Sequence, residues 1–201
     1  MQYKYYTERL QGMLSNKRLE HSLAVSATAA CLAELYGANR RQAAMAGLLH
    51  DCARALPDGK LLTIARENNV PVDEVEEAKP VLLHAPVGAL LARRQFDVQD
   101  QVILQAIALH TVGDTVMNLL DKILFVADKI EPRRKFPGVD ELRQLASQNL
   151  DRALLSCFDY AILQAVRRGE LIHPRAVQSR NRINMLQTQA GNFKPKPNTI
   201  E

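Results

Sequence analysis

His50 and Asp51 close a helix-patterned segment, Ala43-Ala44-Met45-Ala46-Gly47-Leu48-Leu49, that is otherwise small and apolar. Burying an ionised carboxylate without compensation costs several kcal/mol, so a carboxylate on an apolar face is usually paired or bound to a metal. Alone, a His-Asp pair at such a place is weak evidence and more often marks a surface helix end. Two other residues interrupt apolar runs in the same way: His21 on the amphipathic stretch before it, and Asp128 directly after Leu124-Phe125-Val126-Ala127. Taken singly, His21 fits a satisfied core histidine, and Asp128 fits a buried partner of Lys122 or Lys129. Sharing one core, these imidazoles and carboxylates form a ligand set suited to iron, manganese or zinc, not to calcium or a thiolate-bound metal.

The elements that would position these residues read as helices throughout. Apolar residues recur at helical spacing, and alternating runs rich in valine and isoleucine are missing, so the fold class is all-α. The pattern predicts helices over Tyr5 to Leu14 and Arg18 to Tyr36, with Gly37 as a left-handed stop. A third opens at Asn39 and runs through Leu49 to Ala53, and short ones follow from Pro57 to Glu67 and from Pro71 to Glu77. Leu83 to Phe96 is the next, with its proper start near Ala85 because of Pro86, which leaves His84 near a helix N-terminus. Asp100 to His110, Asn118 to Ile130, two helices within Val139 to Arg168 broken near Gln148-Asn149, and Pro174 to Gln189 complete the set. One domain over 1–190, with its core motifs in 18–135, and a mobile C-terminal tail over 191–201 are expected.

Composition limits the function classes. With 47% hydrophobic and 24% charged residues the chain has the balance of a water-soluble globular protein, and no apolar run approaches the ~20 residues of a spanning helix. The polar start Met1-Gln2-Tyr3-Lys4 lacks a secretory core, so a cytoplasmic setting without membrane association is expected. Cys31, Cys52 and Cys157 have no metal-ligand spacing and are expected to be buried core thiols. A formal charge of +4 and 5% aromatics without tryptophan argue against nucleic acid as the partner. The residues leave the oligomeric state open, a homodimer included.

The order His21, His50-Asp51, Asp128 resembles the H…HD…D signature of the HD-domain phosphohydrolases, whose helical bundle holds a metal on those positions. Forms with two further histidines hold a second metal, and His84 and His110 stand in those places. The segments Arg18-Leu19-Glu20-His21-Ser22, Ala46 to Asp51, Leu83-His84-Ala85, Ala106 to Gly113 and Ala127 to Arg133 are similar to one branch, the YqeK-type bis(5'-nucleosyl)-tetraphosphatases. Val112 departs from it where a second threonine is expected. The resemblance implies symmetrical cleavage of diadenosine tetraphosphate, a dinucleoside polyphosphate, to two ADP, with iron as the metal and manganese or zinc as substitutes.

On this reading Asp51 bridges two metals, since a carboxylate offers two oxygens where an imidazole offers one lone pair. His21, His50 and Asp128 complete the first metal, and His84 and His110 hold the second. Two metals generate a water-derived nucleophile and clamp the phosphate, so no side chain need attack. Lys129 and Arg133 are the candidates for catalytic phosphate contacts, Arg133 through its planar fork, although a solvated basic turn also fits them. Thr111 and Gly113 are candidates for substrate binding through the backbone, with helix termination the plainer reading of Gly113. His173 is expected to be structural, capping a helix or packing at the surface. The competing functions are hydrolysis of another nucleotide (a nucleoside monophosphate, deoxynucleotide or cyclic nucleotide) and a non-catalytic nucleotide sensor.

Overall fold

Caps decide where the helices begin and end. In the computed structural model, which describes residues 2–189, Ser15 opens α2 (Asn16–Tyr36) by accepting the Arg18 N–H, and Gly37 at φ 72° closes it. Asn39 caps α3 (Arg40–Leu49), and Asp100 caps α7 (Gln101–Leu109). Asn118 and Asp121 form a capping box on α8 (Leu119–Ile130). The intervening elements are α1 (Gln2–Gln11), α4 (Asp58–Glu67), α5 (Glu74–Ala78), a 3-10 turn (Pro80–Leu83) and α6 (His84–Gln95). Helices α9 (Val139–Gln148), α10 (Leu150–Arg167) and α11 (Pro174–Gln189) follow, with Asn149 capping α10 at the expected break. No strand occurs among the described residues. The expected tail over 191–201 lies outside them.

Helix α1 spans Gln2–Gln11 where the pattern predicts Tyr5 to Leu14, α2 opens two residues early at Asn16, α5 opens late at Glu74, and two further boundaries differ for local reasons. Helix α3 stops at Leu49 instead of running to Ala53, because the chain tightens into i to i+3 bonds, Cys52 N–H to Leu49 O and Arg54 N–H to Asp51 O. Helix α6 starts at His84, since the 3-10 turn ahead of it feeds directly into the α-helix and Pro86 falls in the first turn, where its missing N–H is not needed.

Helix α8 is the centre of the bundle: it packs on α2, α3, α7, α9 and α10, and only three of its twelve residues escape burial. Its Phe125 stacks on Phe158 of α10, ring centroids 4.4 Å apart. Burying such a side chain fully contributes ~1.5–3 kcal/mol. One apolar cluster includes residues from Tyr6 on α1 to Ile183 on α11. The closest helix crossing is α2 on α3. There a Cβ on Gly47 would lie 2.7 Å from the Ser26 Cα, so the backbones meet, and the Ser26 hydroxyl donates to the Ala44 carbonyl at 2.7 Å. This contact brings the middle of α2 beside the end of α3, and with them His21 and His50.

Cys52 and Cys157 are buried as expected, but Cys31 is exposed. Its neighbours Ala29, Ala30, Leu32 and Ala33 occupy the buried arc of α2, and Cys31 falls on the opposite side of the helix.

Candidate metal centre

Three of the five histidines sit at the same kind of place. His50 follows the last residue of α3, His110 the last of α7, and His84 the last of the 3-10 turn, all with helical backbone angles. Helix ends leave carbonyls without intrahelical partners. Each ring meets one of them: His50 Nδ1 lies 2.7 Å from Gly47 O, His84 Nδ1 2.5 Å from Val81 O and His110 Nδ1 2.7 Å from Ile107 O. A carbonyl only accepts, so each Nδ1 carries the hydrogen, and in its neutral form each ring turns a bare Nε2 lone pair inward. His21, in the second turn of α2, is fixed similarly, its Nδ1 donating to Glu131 Oε1 at 3.0 Å.

The four Nε2 atoms converge on Asp51, which is 3% exposed. Its Oδ1 lies 3.3 Å from His84 Nε2 and 3.8 Å from His110 Nε2. Its Oδ2 lies 3.5 Å from His50 Nε2 and 3.9 Å from His21 Nε2. Asp128 closes the second side, with Oδ1 at 3.0 Å from His21 Nε2 and 3.9 Å from His50 Nε2. All six residues expected to hold metal are therefore brought together: five form two groups that share Asp51, and Asp128 borders the one with His21 and His50.

The donor set fits bound metal. The Nε2 atoms of His84 and His110 face one another at 3.1 Å, two lone-pair bearers with no hydrogen to share between neutral rings. Those of His21 and His50 are buried without a hydrogen-bond partner. Burial pushes the His110 ring well below its ordinary range, and burial lowers His50 against the pull of Asp51 and Asp128. Both rings are thus held neutral, the form a metal needs. Burial alone would raise the two carboxyls. Lys129 and Arg134 instead hold Asp128 well below the usual range.

Cationic side chains surround the carboxylates. Lys129 Nζ is 2.5 Å from Asp128 Oδ2, so the ion-pair reading of Asp128 and its place among the histidines hold together. Lys122 instead pairs with Asp151. Arg134 donates to Asp128 Oδ1 at 2.5 Å and to the Asp128 carbonyl at 2.8 Å, and Arg18 donates to Asp51 Oδ2 at 2.8 Å. A cleft of about 400 Å³ opens onto His21, walled by Ser15, Lys17, Arg18, Glu131, Arg133 and Arg134.

The expected phosphate contacts divide. Arg133 lines this cleft and pairs with Glu20 at 2.7 Å, while Lys129 is engaged by Asp128 and stands over the Phe125 ring. The Thr111 hydroxyl is 3.3 Å from both His84 Nε2 and His110 Nε2, so it borders the metal centre through its side chain. Gly113 does not: its N–H is taken by Leu109 O at 2.9 Å, its φ is 71°, and a Cβ there would strike Phe158, so its place is to end α7. Val112 is buried, without a hydroxyl to offer. His173 accepts the Arg175 N–H at 3.1 Å, capping α11, and is buried and not at the surface.

Three residues of the centre carry no role in the sequence reading. Glu131, 2% exposed, fixes His21; Arg18 and Arg134 touch the central carboxylates. The signal for two of them was spacing. Arg18 stands three residues before His21 and Glu131 three after Asp128, so each shares a helix face with a ligand.

Comparison with known proteins gives concordant results. An HD domain is matched over residues 18–133. The chain is 39% identical over 161 residues to the symmetrical bis(5'-nucleosyl)-tetraphosphatase of Bacillus subtilis (strain 168), covering 80% of this chain and 86% of that protein. It is 32% identical over 173 residues to the Staphylococcus aureus (strain NCTC 8325 / PS 47) protein of the same name, covering 85% and 89%. Its fold is similar to the crystal structure of a predicted HD superfamily hydrolase involved in NAD metabolism from Clostridium acetobutylicum. The TM-score is 0.89 at 38% identity, covering 92% of this chain and 97% of that one.

Proposed function

We propose, for a chain that belongs to the HD-domain family and within it to the symmetrical bis(5'-nucleosyl)-tetraphosphatases, that its reaction is the hydrolysis of diadenosine tetraphosphate to two ADP. The observation that carries the dinuclear form of this reading is the two-sided carboxylate of Asp51, one oxygen toward His84 and His110, the other toward His21 and His50. In this reading His21, His50, Asp51 and Asp128 would hold one metal, and Asp51, His84 and His110 the other. The nitrogen and carboxylate set suits iron, manganese or zinc, and the resemblance to the tetraphosphatases makes iron the expected one. When bound, the metals supply activation of water near neutral pH and neutralise phosphate charge.

The chain's own residues do the rest. The helix-end carbonyls keep the histidines in one tautomer, so no proton has to leave a ring before it can act as a ligand. Lys17, Arg133 and Arg134 give the cleft the charge that a polyphosphate needs, and the Thr111 hydroxyl stands beside the second pair of histidines. A purely sensing protein has no chemical use for a carboxylate divided between two ligand pairs. A cytoplasmic setting suits both a nucleotide substrate and three cysteines without a disulfide.

The test is product analysis in water enriched in heavy oxygen. Water attack on one inner phosphorus breaks the bond between the two inner phosphates, leaving the bridging oxygen on one ADP and the solvent oxygen on the other. Half of the ADP therefore carries one heavy atom, and AMP plus ATP do not form. Initial products rich in ATP would sink the symmetrical assignment.

A further inference from the structure

Arg18 is a surplus cation at this centre. It extends from the first turn of α2, on the same face as His21, and its guanidinium donates to Asp51 Oδ2 at 2.8 Å. That oxygen is also the one His21 and His50 approach with their lone pairs, so any metal held by those two rings shares it with Arg18. A divalent ion and a guanidinium on one oxygen lie within a few ångströms and repel strongly at a poorly solvated site.

The other arginine at the centre is held differently. Arg134 has a backbone anchor at the Asp128 carbonyl besides its carboxylate bond, and Arg143 braces its segment by donating to the carbonyls of Ile130, Glu131 and Arg134. Among the described residues the one side-chain hydrogen bond of Arg18 is that to Asp51, and its side chain is 37% exposed in the wall of the 400 Å³ cleft. It has a short path from the carboxylate into the cleft. Lys17 and the positive end of α2 stand beside it there, an environment that attracts phosphate.

We infer that Arg18 alternates between two partners: it holds Asp51 Oδ2 until a metal takes that oxygen, and then turns into the cleft to bind the substrate's phosphate chain. Metal loading and phosphate affinity are thereby linked through one side chain. The inference rests on the dinuclear tetraphosphatase reading above. It moves the main phosphate contact from Arg133, whose pairing with Glu20 is solvent-exposed, to Arg18.

Two titrations on the full chain test it, each on wild type, Arg18→Gln and Arg18→Lys, with helicity and melting confirming that each variant folds. In the first, the metal-stripped protein is titrated with Mn²⁺. Removing the competitor in Arg18→Gln raises affinity at one site by up to about tenfold, the gain when a competent state ~10% populated becomes the only one. In the second, the Mn²⁺-loaded protein is titrated with ADP. Arg18→Gln weakens binding about tenfold to a hundredfold, the usual value of a charge-assisted bond, and Arg18→Lys recovers part of it. ADP affinity unchanged in Arg18→Gln overturns the phosphate role, and Mn²⁺ affinity unchanged or lowered overturns the competition. A wild type that cleaves diadenosine tetraphosphate while either result fails loses this inference alone. One that neither cleaves it nor binds ADP loses the functional reading as well.

Discussion

Replacing Glu131 by glutamine should weaken one metal site and spare the other. Both oxygens of this buried carboxylate accept: Oε1 from His21 Nδ1 at 3.0 Å, Oε2 from the Arg133 N–H at 2.7 Å. Glutamine keeps the shape but has one acceptor oxygen, so its amide N–H must face either the ring N–H or the backbone N–H. One buried donor loses its partner, at a cost of ~1–3 kcal/mol. Rotating His21 away, or moving the hydrogen to its Nε2, relieves the clash at the ring but withdraws the lone pair aimed at Asp51 and Asp128. Loss of such a support typically lowers metal affinity about 10–100-fold. Titration of the stripped variant with Mn²⁺ should show one equivalent weakened by that factor and one, held by His84 and His110, within about twofold of wild type. Two unchanged equivalents would mean that His21 is oriented by its packing alone, and two equally weakened ones that the sites are not separable as the geometry divides them.

Further expectations follow from the same contacts. His84→Ala and His110→Ala should each remove one metal equivalent while leaving a second bound through His21, His50 and Asp128, and metal analysis showing full content in both would exclude the second site. Gly47→Ala places a methyl 2.7 Å from backbone, where no side chain can yield. Overpacking of ~3 kcal/mol, less ~1 kcal/mol gained in helix propensity, leaves about 2 kcal/mol and a melting temperature lower by roughly 4–8 °C. An unchanged melting curve would show that α2 and α3 separate easily. Burial pushes the thiols of Cys52 and Cys157 up to about 12, whereas Cys31 is exposed. An alkylating reagent at neutral pH should therefore label the folded chain once, at Cys31, and a second fast equivalent would contradict the packing at Cys52 or Cys157.

Residue type and helical period carried most of the fold. Gly37, Asn39, Asn118 and Asn149 are cap residues by chemistry, and each stands at a helix end. The six ligands were legible for a related reason: His and Asp are conspicuous on apolar faces because burying them bare is expensive. Cys31 shows the limit of arguing from residue type, since cysteine is buried on average while helical phase decides each case. Gly113 shows another. The glycine signal was real, but a left-handed helix end and a phosphate loop ask for the same residue, and only the Leu109 bond and the Phe158 ring tell them apart. Arg18 could be read as sharing a face with His21. Its reach to Asp51 depends on how deeply α2 settles on α3, which the Gly47 contact sets across 33 positions of sequence.

The same hydrogen bonds that end the helices also prepare the ligands. A histidine at a helix C-terminus could satisfy a free carbonyl anywhere on the surface, where its tautomer would be of no consequence. Here three such ends, α3, α7 and the 3-10 turn, point at one carboxylate, and each Nδ1–H···O=C bond removes the proton from the nitrogen that faces it. The convergence opposes folding, because lone pairs and carboxylates crowd together in a space closed to water. The guanidinium of Arg134 and the ammonium of Lys129 offset part of this by pairing with Asp128, and neither reaches the gap between His84 and His110. A cation held by those two rings would relieve the repulsion that the protein's own charges leave uncompensated. Selection for metal is thus built into the way the helices stop, before any ligand distance is considered.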